Sequence, residues 1–285
     1  MAVDVVWIFS LPRNGSSVTA YAAAEPFGAA VADEVLGPWD RTGEPYNYPA
    51  LQRRLIEAYH GSRCILTPEV VALATELFEL LGEKSGRVVS KHPHLKPAPA
   101  EFRIAFPGCR AVWLMRNPLR RLNSLYNRGW TDDLRPNHEL AHFSGFARSW
   151  LAQPQRLVFE QMRRDPRRFF RSIYRHWGWD ANDADIERAI AYTRDKYHSS
   201  SCELDDKRTA AAPLSESRWC LPEEALEMYL ADPFVRRLMR RCRYPVGKPA
   251  YRVDDSDGTW QRRWYYRVRK LTPPRRVEGP VVDEP

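Results

Sequence analysis

Three stretches of this 285-residue chain carry side chains whose types and spacing can do chemistry. In the first, the apolar run Val5-Val6-Trp7-Ile8-Phe9 leads into Ser10-Leu11-Pro12-Arg13-Asn14-Gly15-Ser16-Ser17 and then a helix-like segment. A strand ending in a Gly/Ser turn that opens a helix aims unpaired backbone N–H groups and the positive end of the helix dipole at one point, where an anion fits. Gly15 permits close backbone approach, Ser16 and Ser17 add hydroxyl donors, and Arg13 brings a permanent charge able to fork two oxygens. A plain helix N-cap is the alternative reading of the same residues. In the second stretch, Ala111-Val112-Trp113-Leu114-Met115 runs into Arg116-Asn117-Pro118, and the helical segment beyond it sets Ser124 and Arg128 one turn apart, hydroxyl and guanidinium on one side. The third is a pair of strand ends. Ala29-Ala30-Val31-Ala32-Asp33-Glu34 closes on two carboxylates, and Val88-Val89-Ser90-Lys91-His92-Pro93-His94 offers a lysine and two imidazoles, so proton acceptors and a cation are available together.

The first turn departs from a nucleoside-triphosphatase P-loop, because no lysine follows its glycine; the basic residue precedes it. Triphosphatases also place a metal-binding aspartate after a second apolar strand, whereas Arg116 stands here, which favours a bare phosphate over a magnesium complex. The five cysteines are scattered without C-x-x-C spacing and read as reduced thiols. The seven histidines are dispersed too, so no metal site is expected.

Taken in order, Pro12-Arg13-Asn14-Gly15-Ser16-Ser17 and Arg116-Asn117-Pro118, with Ser124 eight residues on, resemble the two nucleotide signatures of the sulfotransferases that use 3′-phosphoadenosine-5′-phosphosulfate (PAPS). The resemblance is closer to the bacterial and tyrosylprotein-type motifs than to the cytosolic phenol and steroid enzymes. It implies an α/β fold, a three-layer parallel sheet flanked by helices and related to the P-loop nucleotide kinases. It also implies sulfuryl transfer from PAPS to an acceptor hydroxyl, with 3′,5′-ADP as product and without a metal. On that resemblance Arg13, Asn14, Gly15, Ser16 and Ser17 hold the 5′-phosphosulfate, while Arg116, Ser124 and Arg128 hold the 3′-phosphate, in two anion pockets at one sheet edge. Lys91 and Arg13 neutralise the sulfuryl oxygens, and Glu34 is the base, with His92 second and His94 third; capping of the next helix is the plain alternative for Asp33 and Glu34. The acceptor is a small molecule, lipid, sugar or peptide. A kinase-like phosphotransferase using ATP, or a catalytically inactive nucleotide-binding protein, remains open as an alternative.

The elements that must position these groups follow from periodicity. Thr67-Pro68-Glu69 opens a helix that Gly82 stops, with Val70, Leu73, Ala74, Leu77, Phe78 and Leu81 as its core face. Leu119, Leu122, Leu125 and Tyr126 mark the buried face of a helix through Arg128, leaving Arg120 and Arg121 as a solvated basic face. Arg156 to Gln161 reads as a late strand; the family's usual Tyr-Glu-Asp is here Phe159-Glu160-Gln161, which leaves the role of Glu160 open. Asp165-Pro166 opens a helix with the stripe Phe169, Phe170, Ile173 and Trp177 before Gly178, and further helices are expected over about 184–192 and from Pro222 to Arg241. Residues 198–217 read as a long loop of the kind that forms lids, with Lys207 or Arg208 able to close over a nucleotide, and Pro38 to Pro49 as a loop beside the acceptor.

A net charge of +8 and a pI near 9.3 favour an anionic partner, but no nucleic-acid reader module is recognisable and no nucleic acid is expected. No apolar run approaches a membrane span, and the first residues lack the basic region of a secretion signal, so a cytoplasmic protein is expected. Residues 1–250 are expected to form one α/β domain. Residues 251–285 form a basic, aromatic and proline-rich tail, whose Trp260 to Lys270 suits peripheral contact with membrane headgroups, an acidic acceptor, another subunit or the domain itself.

Overall fold

The computed structural model describes residues 3–35, 48–92, 99–127, 136–195 and 221–247. His94, Arg128, the 198–217 segment, the tail and nearly all of the 38–49 loop lie outside them. In chain order the elements are β1 (Asp4–Ser10), α1 (Ser16–Ala24), a short 3₁₀ turn (Glu25–Phe27), β2 (Ala30–Asp33), α2 (Pro49–Gly61), α3 (Pro68–Gly82), β3 (Arg87–Lys91), α4 (Pro99–Ala105), β4 (Arg110–Met115), α5 (Pro118–Asn127), α6 (Pro136–Ala152), β5 (Arg156–Val158), α7 (Gln161–Arg164), α8 (Pro166–Trp177), α9 (Asp183–Asp195), α10 (Glu223–Ala231) and α11 (Pro233–Arg241).

The five strands form one parallel sheet in the order β2-β3-β1-β4-β5. Strands buried on both faces are written as continuous apolar runs, as in Val5 to Phe9 and Ala111 to Met115. Along β1 the period of two sends Val6 and Ile8 to a core shared with α1, α8 and α9, and Trp7 and Phe9 to a second core with α2, α3, α5, α6, α10 and α11. On that second face Trp7, Phe9 and Phe102 meet edge to face at 4.5 and 4.7 Å, a geometry that suits the ring quadrupoles. The chain runs from β1 to β2 in one direction across the sheet and from β2 through β5 in the other. Right-handed crossovers therefore put α1 on one face and α2 to α6 on the other. The loop after β1 turns one way while those after its neighbours β3 and β4 turn the opposite way, so a crevice opens at the carboxyl ends of these three strands.

The α/β class, α3, α5 and α8 agree with the sequence reading: Thr67 accepts from the Val70 N–H and Asp165 from the Arg168 N–H, each capping its helix. Two elements differ. The late strand stops at Val158, because after the Phe159 N–H bonds to the Met115 carbonyl (2.8 Å) the chain turns directly into α7. The single closing helix is two, α10 and α11, since Pro233 has no N–H to continue the first and Asp232 instead caps the second through the Val235 N–H at 2.8 Å.

Gly15 is the tightest point of the fold. Its φ is +84°, and a Cβ there would lie 2.1 Å from Cε2 of Phe159. Gly28, also left-handed with a φ of +59°, has nothing within 4 Å of its would-be Cβ. Gly28→Ala is therefore expected to lose only the backbone preference, about 1 kcal/mol, while Gly15→Ala adds overpacking and loses about 3 kcal/mol or more in urea unfolding. Equal losses would disprove the contact.

Candidate functional site

The β1–α1 loop is shaped by two left-handed residues, Arg13 (φ 68°) and Gly15 (φ 84°), on either side of Asn14. Asn14 is wholly buried; its N–H donates to the Leu11 carbonyl (3.2 Å) and its Nδ2 to the Leu114 carbonyl on β4 (3.0 Å). Asn14 thus ties the loop to the neighbouring strand through its side chain. Gly15 caps α1 without any side-chain hydrogen bond, so the first-turn N–H groups depend on other acceptors. Ser16 is buried and Ser17 half-buried at that same turn.

The end of β4 reaches the same loop. Arg116 Nη1 donates to the Arg13 carbonyl (3.2 Å), and Arg13 Nε donates to Ser124 Oγ on α5 (3.0 Å). Arg13 and Ser124, 111 residues apart, therefore touch, and bring the first two of the three chemistry-bearing stretches together at one loop. The Arg116 guanidinium lies 5.4 Å from the Phe159 ring, the ring that packs on Gly15. Burial holds the Arg116 pKa below its ordinary value, and the carboxylate of Glu160 opposes that shift. Its Nε is buried with no hydrogen-bond partner among the described residues.

A second set of groups holds Arg116 in place. Glu160 accepts the Asn117 N–H through Oε1 (3.0 Å) and the Tyr244 hydroxyl through Oε2 (2.5 Å). Burial and then the adjoining Glu160 charge push the Tyr244 phenol well above its ordinary pKa, so it remains a donor. Asn117 Oδ1 caps α5 by accepting from the Leu119 and Arg120 N–H groups, at 2.9 and 3.2 Å. Arg121, expected on a solvated face, is instead 1% exposed: Nε donates to the Pro12 carbonyl (3.0 Å), and Nη2 pairs with Glu139 of α6 (3.1 Å). A guanidinium that braces a loop carbonyl and meets a carboxylate behind it is stable where a lone one would not be.

On the other side of β1, the register aligns Asp33 of β2 with Lys91 of β3 and Lys91 with Ile8. Lys91 Nζ sits 2.5 Å from Asp33 Oδ1 and 2.6 Å from Glu34 Oε1, with the lysine and aspartate 2% and 1% exposed and Glu34 13%. Glu34 takes a left-handed backbone (φ 58°), fixed by its N–H bonding to the Lys91 carbonyl at 2.8 Å. The strain orients the more accessible of the two carboxylates at the strand edge. With β2 two strand spacings from β1, this group lies about 10 Å to the side of the Arg13 loop. His92 is buried, its ring edge-on to Tyr59 of α2 at 6.4 Å, and so faces the helical layer.

Sequence reasoning named Arg13, Asn14, Gly15, Ser16, Ser17, Arg116 and Ser124, and the fold gathers them around one loop; Glu34 and Lys91 stand at the ends of the strands to one side, and His92 directly follows Lys91. It noted Phe159 and Glu160 but left the role of Glu160 open, and it passed over Tyr244 and the bracing role of Arg121. Arg121 stands four residues from both Asn117 and Leu125, a spacing that could have placed it on a buried stripe. Nothing local marks Tyr244, which comes from 84 residues beyond Glu160.

Among the described residues no group of three or more His, Cys, Asp or Glu side chains could hold a metal ion, and no helix is long and apolar enough to cross a membrane. No family model matches the chain, and no curated protein matches it. Solved structures do. The sulfotransferase domain of the Synechococcus olefin synthase is 16% identical, with 86% of this chain and 96% of that one covered and a TM-score of 0.46. A sulfotransferase from Alicyclobacillus acidocaldarius is 13% identical over 86% of this chain and 97% of that one, at a TM-score of 0.46. The mouse sulfotransferase SULT7A1, solved in complex with PAP, is 13% identical over 91% and 88%, at a TM-score of 0.42. All three carry the name sulfotransferase, at low sequence identity to this α/β chain.

Proposed function

We propose that the protein is a sulfotransferase that moves a sulfuryl group from PAPS to an acceptor hydroxyl, on a small molecule, lipid, sugar or peptide. The observation that carries this reading is the hydrogen-bonded chain Arg116–Arg13–Ser124, which joins a glycine-opened helix start to a strand-end arginine and a helix serine. These donors suit a ligand with more than one phosphate, and the backbone cradle at Gly15 suits one of them. When bound, PAPS supplies an activated sulfuryl group, whose S–O bond to the 5′-phosphate breaks as the acceptor oxygen bonds to sulfur.

For such loose in-line transfer the protein contributes position and charge neutralisation. The α1 start with Gly15, Ser16 and Ser17 takes the 5′-phosphate. Arg116 and Ser124 take the 3′-phosphate, and Arg13, bonded to Ser124, stands between the two ends. Asn14 serves this ligand as scaffold, since its backbone N–H and its side-chain Nδ2 are engaged within the fold. Glu34 accepts the acceptor's proton. Lys91, which meets both carboxylates, holds Glu34 in register, and neutralisation of the sulfuryl oxygens falls mainly to Arg13.

Two outcomes test this. In calorimetry the protein should bind 3′,5′-ADP in preference to ADP and ATP, and Arg116→Ala should largely abolish that preference; tighter binding of magnesium-ATP would overturn the reading in favour of a phosphotransferase. Glu34→Gln should lower sulfuryl transfer by about 100-fold or more while leaving 3′,5′-ADP affinity unchanged, as expected for loss of a general base. Full activity in that variant would remove Glu34 from the role.

A further inference from the structure

A second basic site lies on the outer side of β5, away from the β1–α1 loop. A cavity of about 710 Å³ opens there between β5, α8 and the end of α11. Arg156, Arg164, Arg168, Arg175, Arg241 and Arg243 line it, against one carboxylate, Asp165. Asp165 is already committed, since its Oδ1 caps α8 at the Arg168 N–H (3.0 Å).

The pairing pattern on α8 argues that this charge is not incidental. Arg167 and Arg171 point to α9 and meet Glu187 and Asp183 at 2.7 and 2.8 Å. Arg168 and Arg175, on the cavity side of the same helix, pair with no carboxylate among the described residues, and the same holds for Arg164, Arg241 and Arg243. One face of α8 is thus neutralised within the fold, and the other concentrates cations around a concave space. His176 adds no charge to that wall near neutral pH, because burial and the adjacent Arg175 hold its pKa below the ordinary histidine value. Like charges gathered in one cavity repel one another, and a polyanion that fills it relieves that repulsion.

The lining also says which polyanion. Nucleobases want exposed aromatic faces to stack on, but the aromatic rings here, Trp150 and Phe169, are buried in the wall, and Trp150 Nε1 is tied to the Trp113 and Leu157 carbonyls. A membrane surface wants a flat basic face with apolar side chains to insert, and the site is concave and rimmed by guanidiniums. Guanidiniums, each a planar fork of N–H donors, share the lining with Gln161 and with Ser172, whose hydroxyl donates to the Arg168 carbonyl (2.8 Å) and keeps its acceptor side; such a wall suits sulfates or carboxylates carried on a hydroxyl-rich backbone. We infer that this cavity binds an acidic oligosaccharide.

This inference stands apart from the PAPS reading, because none of its residues belongs to the Arg13, Arg116 and Ser124 cluster. The test is titration of the full-length protein, at physiological salt, with a short dextran sulfate, with neutral dextran of equal length, and with a single-stranded oligonucleotide of equal charge. Dextran sulfate should bind with a marked salt dependence and neutral dextran should not. Arg168→Ala with Arg175→Ala should weaken dextran sulfate at least about tenfold, whereas Arg167→Ala with Arg171→Ala, equal in net charge, should change it less than about twofold. Equal weakening by both pairs would show general attraction to a basic protein and overturn the site. So would tighter binding of the oligonucleotide, or no binding of dextran sulfate. Titration of each variant with 3′,5′-ADP keeps the two readings distinct. Retained nucleotide binding with lost dextran sulfate binding places the effect in the cavity and supports the site. Failure of 3′,5′-ADP in the unmodified protein defeats the PAPS reading alone.

Discussion

The close approach of Gly15 to the Phe159 ring is the constraint on which the rest of the site depends. It brings the chain after β5 over the β1–α1 loop, and the same ring receives the Arg116 guanidinium on its face. A side chain at position 15 would lift the loop from β5 and from β4, where Asn14 is anchored to Leu114. The positive φ at Arg13 and Gly15 turns the loop on either side of that anchored Asn14. Packing at one glycine thus fixes where three strands present their ends.

The charges on either side of that loop are handled differently. To one side a lysine meets two carboxylates in near-complete burial, an arrangement in which loss of one partner would leave charge stranded in a poorly solvated place. To the other, guanidiniums are braced by backbone carbonyls, with Glu139 behind Arg121 and Glu160 near Arg116. The first arrangement holds a carboxylate in a chosen orientation; the second keeps N–H donors directed at a shared space.

Much of this architecture could be read locally. β1 and β4 announce themselves as apolar runs because both faces of the sheet are covered, and α3 and α8 carry a capping residue followed by proline and a regular stripe. The motif residues were legible because an arginine at a strand end and a glycine before a helix serve few other purposes. α2 and α6 escaped notice: α2 begins without a side-chain cap, and the stripe Leu140, Phe143, Ala147 and Trp150 of α6 is interrupted by histidine, serine and glycine. The roles of the remaining members of the site escaped for a different reason. Phe159, Glu160 and Tyr244 act through contacts across the sheet, and no spacing along the chain encodes such contacts.

The shortness of the border strands has a consequence for solution behaviour. β2 offers four residues and β5 three, and the turn into α7 closes the latter at once. Borders this brief present few free amide and carbonyl groups, and the guanidiniums beside β5 would be desolvated by any approaching ribbon. A parallel sheet whose middle strands are among the most apolar segments of the chain is thereby guarded against templating its own aggregation.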